Sequence, residues 1–256
     1  MSPKDAIILG FVEGLTEFLP VSSTGHLILT AHIIGLSHND FTKSFEISIQ
    51  LGAIMAVFFL YLTRFLTDLE TWKRIIVAFL PTGIFGFLLY KFVKGYLIGN
   101  DLVVVINLFL GGVFLLFADR WCEKFCRIER VQKLPLGKAF MIGLFQSLAM
   151  VPGVSRSGAT IIGGMLMGLN RKQAAEFSFL LAVPTMLTAT GYDLYKSYSQ
   201  FSLQEFHLLG IGFAVSFLTA ILSVKLLLKF VSAYNFVPFG IYRILVSLLY
   251  SYFFLF

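Results

Sequence analysis

Long apolar runs alternate with short polar connectors along this chain, and the runs set the scale of its architecture. A helix that crosses a bilayer needs about 20 predominantly apolar residues. Six stretches meet that length, near residues 44–62, 74–93, 101–118, 175–195, 207–228 and 236–256, and each predicts a transmembrane helix. Two further apolar segments are interrupted. The first meets Pro20 and resumes after Ser22, Ser23 and Thr24; the second meets Pro152-Gly153 and resumes after Ser155. Proline removes a backbone donor and breaks a helix. Residues 3–18, if helical, extend roughly 24 Å at about 1.5 Å per residue, short of a hydrocarbon core of about 30 Å. A re-entrant hairpin therefore fits each segment better than two full spans. Broken backbone at membrane depth is tolerated only where protein or a watery cavity covers it.

The two interrupted segments are related. A shift of 133 lays Ala6 to Leu29 on Ala139 to Ile162 without a gap, and the identities include Gly10/Gly143, Val21/Val154, Ser22/Ser155 and Gly25/Gly158. The polar turn itself repeats, "VSSTG" against "VSRSG". A second echo pairs Glu46 with Glu176 and Ser48 with Ser178 after a three-residue change of offset. With three spans in each half, an odd number, the duplicated unit sits in opposite orientations in the membrane. The predicted fold class is an all-α integral membrane protein with six transmembrane helices and two re-entrant helix hairpins. It forms a single membrane domain over residues 1–256, with inverted repeats at about 1–118 and 139–256 joined by a basic cytoplasmic loop at 119–138.

Composition agrees with a lipid solvent: 57% of residues are hydrophobic, 13% are charged, and mean hydropathy is +0.85, far from a soluble domain. The net charge of +6 does not point to nucleic acid, because the cations are spread between apolar segments. They read instead as a topology signal. Arg64, Lys73 and Arg74 form one basic loop, Arg120, Lys124, Arg127, Arg130, Lys133 and Lys138 the strongest, with Arg171/Lys172 and Lys225/Lys229 beyond. The opposite loops hold only Lys4, Lys43, Lys91, Lys94 and Lys196, so both chain ends are expected outside. Acidic residues at 5, 13 and 17 argue against a cleaved signal. Cys122 and Cys126 lie four apart with no nearby His and read as ordinary thiols.

Candidate chemistry concentrates at the two breaks. Glu13 and Glu17 are four apart and share one helical face. Two carboxylates in a membrane are costly unless paired, protonated or hydrated, which favours a shared cation, an arginine or a proton role over a solvated helix end. Ser22, Ser23 and Thr24 look like an ordinary N-cap, yet a helix N-terminus also suits phosphate. His26, three residues beyond Ser23, could take a hydroxyl proton, attack phosphorus itself or protonate a leaving group. Arg156 demands an anionic partner, either Glu13 or Glu17 in a structural ion pair or the oxygens of a phosphate. Ser155, Ser157 and Thr160 either add donors to the same anion or satisfy local backbone. His32, His38 and His207 read as packing or interface residues. Glu46, Gln50 and Glu176 either line the cavity or bond across helices.

"EGLTEFLPVSSTGH" and "PGVSRSGAT" closely resemble the two motifs of the bacterial undecaprenyl-diphosphate phosphatases, the bacitracin-resistance family of integral membrane proteins. The resemblance covers the whole chain. It implies hydrolysis of a polyprenyl diphosphate carrier lipid to the monophosphate and phosphate, recycling the carrier for peptidoglycan synthesis. It also implies a place in the bacterial inner membrane with the site facing the outer side. The family's acidic pair falls on Glu13 and Glu17, its hydroxyl cluster on Ser22, Ser23 and Thr24, its histidine on His26 and its arginine on Arg156 beside Ser155 and Ser157. On that basis Glu13 and Glu17 are expected to hold a divalent cation, Mg²⁺ or Ca²⁺, on the diphosphate. Arg156 stabilises the phosphoryl group in transit. Ser23 is the nucleophile candidate with His26 as its base, His26 as direct nucleophile or as base for water remaining open. The partners expected are the lipid substrate and membrane lipid, with no nucleic acid; a homodimer is compatible. A lipid transporter is the alternative, since inverted repeats with broken helices describe carriers equally.

Overall fold

The computed structural model describes residues 1–36, 40–92, 101–122, 124–197 and 203–255. His38 and Lys94 lie outside those residues, as do the side chains of Lys91, Cys122 and Lys196. The described chain is helical, with a single isolated β-bridge between Ile128 and Leu169. In order the helices are α1 (Pro3–Thr16), α2 (Ser23–Ile33), α3 (Asp40–Leu60), α4 (Leu62–Thr67), α5 (Leu69–Phe92), α6 (Asp101–Cys122), α7 (Leu136–Ser147), α8 (Arg156–Leu166), α9 (Arg171–Ser197), α10 (Leu203–Ala233) and α11 (Val237–Tyr250). Six of them, α3, α5, α6, α9, α10 and α11 with the π-helical turn that follows it, are long and apolar enough to cross a membrane. The protein is multi-pass, and its spans match the six apolar runs to within a few residues.

Helix α1 starts as its sequence dictates. Ser2 and Asp5 exchange hydrogen bonds in a capping box and Pro3 occupies the first turn, where its missing N–H costs nothing. The helix stops at Thr16, two residues before the end its apolar pattern suggests, and Pro20 lies in the turn that follows. At about 1.5 Å per residue, the 14 residues of α1 and the 11 of α2 are each too short for a core of about 30 Å. Helices α7 and α8 repeat this arrangement around the Pro152-Gly153 break. Ser22 and Ser155 sit at the two breaks with φ of 70° and 76°. A serine with positive φ is strained by roughly 1–3 kcal/mol and persists only when the surroundings hold it.

Helix association in lipid lacks a hydrophobic drive, so close contact between small residues does the work. Helix α1 packs on α10, α7 on α5, α6 on α11, and α3 on both α9 and α10. At the first crossing a Cβ added to Gly10 would lie 2.6 Å from the Gly212 carbonyl oxygen; at the second, one on Gly143 would overlap the Ala78 carbonyl. Gly10 and Gly143 are 133 apart, and Gly212 and Ala78 are 134 apart, so the halves use a similar contact at offsets that differ by one residue. Outward faces carry large apolar side chains such as Phe87, Leu88 and Leu218, as a lipid-facing surface requires. The 119–138 connection is more than a charged linker. Val131 and Leu134 are fully buried, Gln173 accepts the Val131 N–H, and Asp119 receives both Arg171 Nε and the Phe236 N–H at 2.6 Å.

Replacing either Gly10 or Gly143 by Val drives a side chain into facing backbone, and overpacking of this kind costs about 1–3 kcal/mol or more. Both variants should lower the thermal midpoint of detergent-purified protein by similar amounts; a tolerant Gly143 beside an intolerant Gly10 would contradict the shared packing.

Candidate active site

The two breaks meet. Ser157 Oγ, at the start of α8, donates to the Leu19 carbonyl in the first break at 2.7 Å, and an added Cβ on Gly158 would lie 3.5 Å from Pro20 Cβ. Between them lies a cavity of about 140 Å³ lined by Glu17, Ser22, Ser23, Thr24, Gln50, Ser155, Arg156 and Met186, together with residues of the second turn. The N-termini of α2 and α8 both border it, and unpaired N–H groups there favour an anion.

At its wall Arg156 Nη2 binds Glu17 Oε1 at 2.8 Å, with side-chain exposures of 13% and 4%. Low exposure decides the reading. In such surroundings the pair is weakly screened, and removing either partner strands a charge. Arg156 Nη1 donates to the Ser178 carbonyl, its guanidinium lies over the Phe18 ring at 5.7 Å, and its Nε–H has no partner. The other Glu17 oxygen accepts from Ser23 Oγ at 2.6 Å. Glu17 thus touches at once the cation of one break and the hydroxyl of the other.

Glu13 differs. It is fully buried, and neither of its carboxylate oxygens has a hydrogen-bond partner. Glu46 Oε1 is likewise unpartnered, and the charges of both Glu17 and Glu46 act on Glu13, Glu17 the more strongly. A buried carboxylate without donors is costly when ionised, so these oxygens, which stand outside the cavity lining, require either a proton or a cation. Glu17, with both oxygens engaged, is less available than Glu13. No cluster of three or more His, Cys, Asp or Glu stands together among the described residues. The donor set suits a metal that takes one or two carboxylates plus substrate phosphate oxygens, the habit of Mg²⁺, better than an all-protein cage.

His26 sits differently from the Ser23–His26 pairing expected of it. Its Nδ1 is 2.8 Å from the Ser22 carbonyl and its Nε2 is 2.7 Å from the Tyr242 hydroxyl, whose ring stacks on the imidazole at 5.5 Å. A carbonyl only accepts, which assigns the proton to Nδ1 and leaves Nε2 to accept from Tyr242. The physical reason is helical pitch: on the first turn of α2 the ring folds back onto the carbonyl four residues earlier. Ser23 consequently donates to Glu17, and His26 stands behind the cavity wall.

The remaining hydroxyls divide. Ser22, Ser23, Thr24 and Ser155 line the cavity. Ser155 Oγ also accepts the Gly158 N–H and caps α8, whereas Ser22 makes no side-chain cap to α2. Ser157 and Thr160 lie outside the lining and satisfy backbone, Ser157 at Leu19 and Thr160 at the Arg156 carbonyl with Ser178 Oγ beside it. Gln50 joins the lining, while Glu176 is held by Arg64 at 2.8 Å. His32 packs against the rings of Tyr250 and Phe254, and His207 is exposed on α10. Sequence reading missed Tyr242, Ser178 and, above all, Arg243. That arginine stands alone amid the apolar residues of the last span, the same signal that singled out Arg156.

The sequence itself matches known proteins over its whole length. Residues 6–249 match the model of the bacitracin resistance protein BacA family. The chain belongs to that family. It is 65% identical over 256 residues to the undecaprenyl-diphosphatase of Aquifex aeolicus, all of both chains being covered. It is 54% identical over 251 residues to that of a Sulfurihydrogenibium species, covering 98% of each. With the undecaprenyl-diphosphatase of Thermus thermophilus it shares 52% over 258 residues, covering 100% of this chain and 98% of the other.

Replacing Tyr242 by Phe removes one neutral hydrogen bond, worth about 1 kcal/mol, while leaving the Ser23–Glu17 contact in place. Thermal stability should fall slightly and turnover should stay within about threefold of wild type. A loss of several orders of magnitude would return His26 to the proton path.

Proposed function

We propose that this chain is an undecaprenyl-diphosphatase, cleaving undecaprenyl diphosphate to undecaprenyl phosphate and phosphate and so recycling the lipid carrier of cell-wall synthesis. The observation that carries the reading is the Ser23–Glu17–Arg156 chain of contacts in the cavity: a hydroxyl on a carboxylate, and that carboxylate on a guanidinium. The lipid's anionic end requires such a pocket while its prenyl tail stays in hydrocarbon. Ser23 Oγ attacks the terminal phosphorus as Glu17 accepts its proton, the bridging P–O bond breaks, and undecaprenyl phosphate leaves. Water then attacks the phosphoserine and releases phosphate. Arg156, whose Nε–H has no protein partner, stabilises the equatorial oxygens of the phosphoryl group, together with the N-termini of α2 and α8. Glu13, with Glu46 nearby, would hold a divalent cation, Mg²⁺ or Ca²⁺, and such a cation would neutralise charge on the diphosphate oxygens.

The two halves are proposed to be inverted repeats whose hairpins enter the bacterial inner membrane from opposite sides, with the cavity opening outward. Similar positive φ at Ser22 and Ser155 and similar backbone contacts at Gly10 and Gly143 support a duplicated unit. The distribution of lysine and arginine supports the orientation. A homodimer is compatible with this arrangement.

Detergent-purified protein supplied with undecaprenyl diphosphate should release phosphate only with a divalent cation. Well-folded protein that releases none would favour a lipid carrier. Ser23→Ala should keep the fold and lose turnover by about 10³-fold or more, the loss typical of a removed nucleophile. Glu13→Gln should raise the thermal midpoint, because a buried carboxylate without donors becomes neutral, and should abolish activation by metal. An unchanged metal titration would refute the cation role of Glu13.

A further inference from the structure

Arg243 is a second buried cation, and the reaction just described does not use it. It lies on α11 with 1% of its surface exposed, and no carboxylate among the described residues pairs with it. A guanidinium has five N–H donors, and here every one is directed at a backbone carbonyl. Nε donates to Leu108 at 3.2 Å; Nη1 donates to Pro20 at 3.3 Å and Val154 at 3.0 Å; Nη2 donates to Asn107 at 2.9 Å and Gly153 at 2.8 Å. Pro20 belongs to the first break, Gly153 and Val154 to the second, and Asn107 and Leu108 to the middle of α6. One rigid planar fork thus ties both broken hairpins to one intact span.

The surrounding sequence makes room for it. A Cβ added to Gly111 would fall on the guanidinium, and one added to Gly240 would lie 2.8 Å from the Gly112 carbonyl oxygen. These glycines let α6 and α11 approach closely enough for the side chain to reach across. The second break presses on α6 as well, since a Cβ on Gly153 would lie 2.9 Å from Val104 Cα.

Resting on the phosphatase reading, we propose that Arg243 is the positioning residue of this site: by binding the carbonyls of Pro20, Gly153 and Val154 it fixes the N-termini of α2 and α8 around one anion. A trans peptide points its N–H opposite its carbonyl. Drawing the Val154 carbonyl toward Arg243 therefore turns the Ser155 N–H to the other side of that peptide. The same clamp holds the neighbouring serines at positive φ, where they would otherwise relax. Lysine cannot replace this function, because one ammonium with three donors cannot span five carbonyls on three segments.

The test uses two full-length variants, Arg243→Lys, which keeps the charge, and Gly111→Ala, which keeps the arginine and displaces it. Each is measured for undecaprenyl diphosphate hydrolysis and for thermal stabilisation by inorganic pyrophosphate at a temperature where it is folded. Both should lose kcat/KM by about 100-fold, the loss that a misplacement of ~1 Å produces, together with the stabilisation by pyrophosphate. Folded variants that keep kcat/KM within about threefold of wild type and still respond to pyrophosphate would overturn the proposal. Failure of both to fold would assign Arg243 to the fold alone and overturn it equally. Wild-type protein that binds pyrophosphate but hydrolyses no lipid would remove the phosphatase reading, leaving the pyrophosphate response of the variants to judge Arg243.

Discussion

A helix broken among apolar helices leaves carbonyl and N–H groups that apolar surroundings cannot satisfy, and the arrangement at the centre of this protein answers that need. Two breaks double the problem and also supply its solution, because each can serve the other. Ser157 covers the Leu19 carbonyl from across the interface. Arg243 covers Pro20, Gly153 and Val154 together. Once the carbonyls are bound on one side, the N-terminal ends of α2 and α8 face a common space. A pocket attractive to anions is then the consequence of satisfying backbone.

The charged groups in that pocket are held by mutual need. Arg156 cannot shed its proton, and Glu17 cannot remain ionised there without a donor. Their contact at 2.8 Å meets both demands while leaving the Nε–H of the guanidinium without a partner and one carboxylate oxygen on Ser23. In the proposed reaction an arriving phosphate competes for the same arginine, so binding substrate and freeing the carboxylate for proton transfer would be linked events. Such coupling needs no moving domain, only a shift of one hydrogen bond between two acceptors.

Much of this was legible in the sequence because lipid imposes a severe alphabet. Uninterrupted apolar runs located six spans, and the prolines located the breaks. Arg156 and Glu17 announced themselves as charges where charges are expensive. What stayed hidden depended on direction. His26 is three residues from Ser23 in sequence, but its ring folds back to Ser22 and meets Tyr242, 216 residues away. Ser157 and Thr160 look like anion donors until their partners prove to be Leu19 and Arg156 carbonyls. Arg243 was overlooked because its neighbours read as one more span, and five carbonyl partners from three segments leave no local mark in the sequence.

Comparison of positions 133 apart separates what the architecture requires from what the chemistry requires. Ser22 and Ser155 share their backbone conformation, and Gly10 and Gly143 share their packing, so these belong to the broken-hairpin unit itself. Glu13 faces Gln146 in this comparison, Glu17 faces Met150, Ser23 faces Arg156 and His26 faces Ala159. Gln146 shows what a structural occupant does: buried, it donates from Nε2 to Thr82 and Thr185 and binds the helices beside it. Glu13 is buried to the same degree and makes no such bonds. A neutral amide or a protonated carboxyl would be cheaper there than an ionised group without donors. The acids gather on one hairpin and the cation on the other, so the proposed reaction draws its proton acceptor from the first and its anion-binding group from the second.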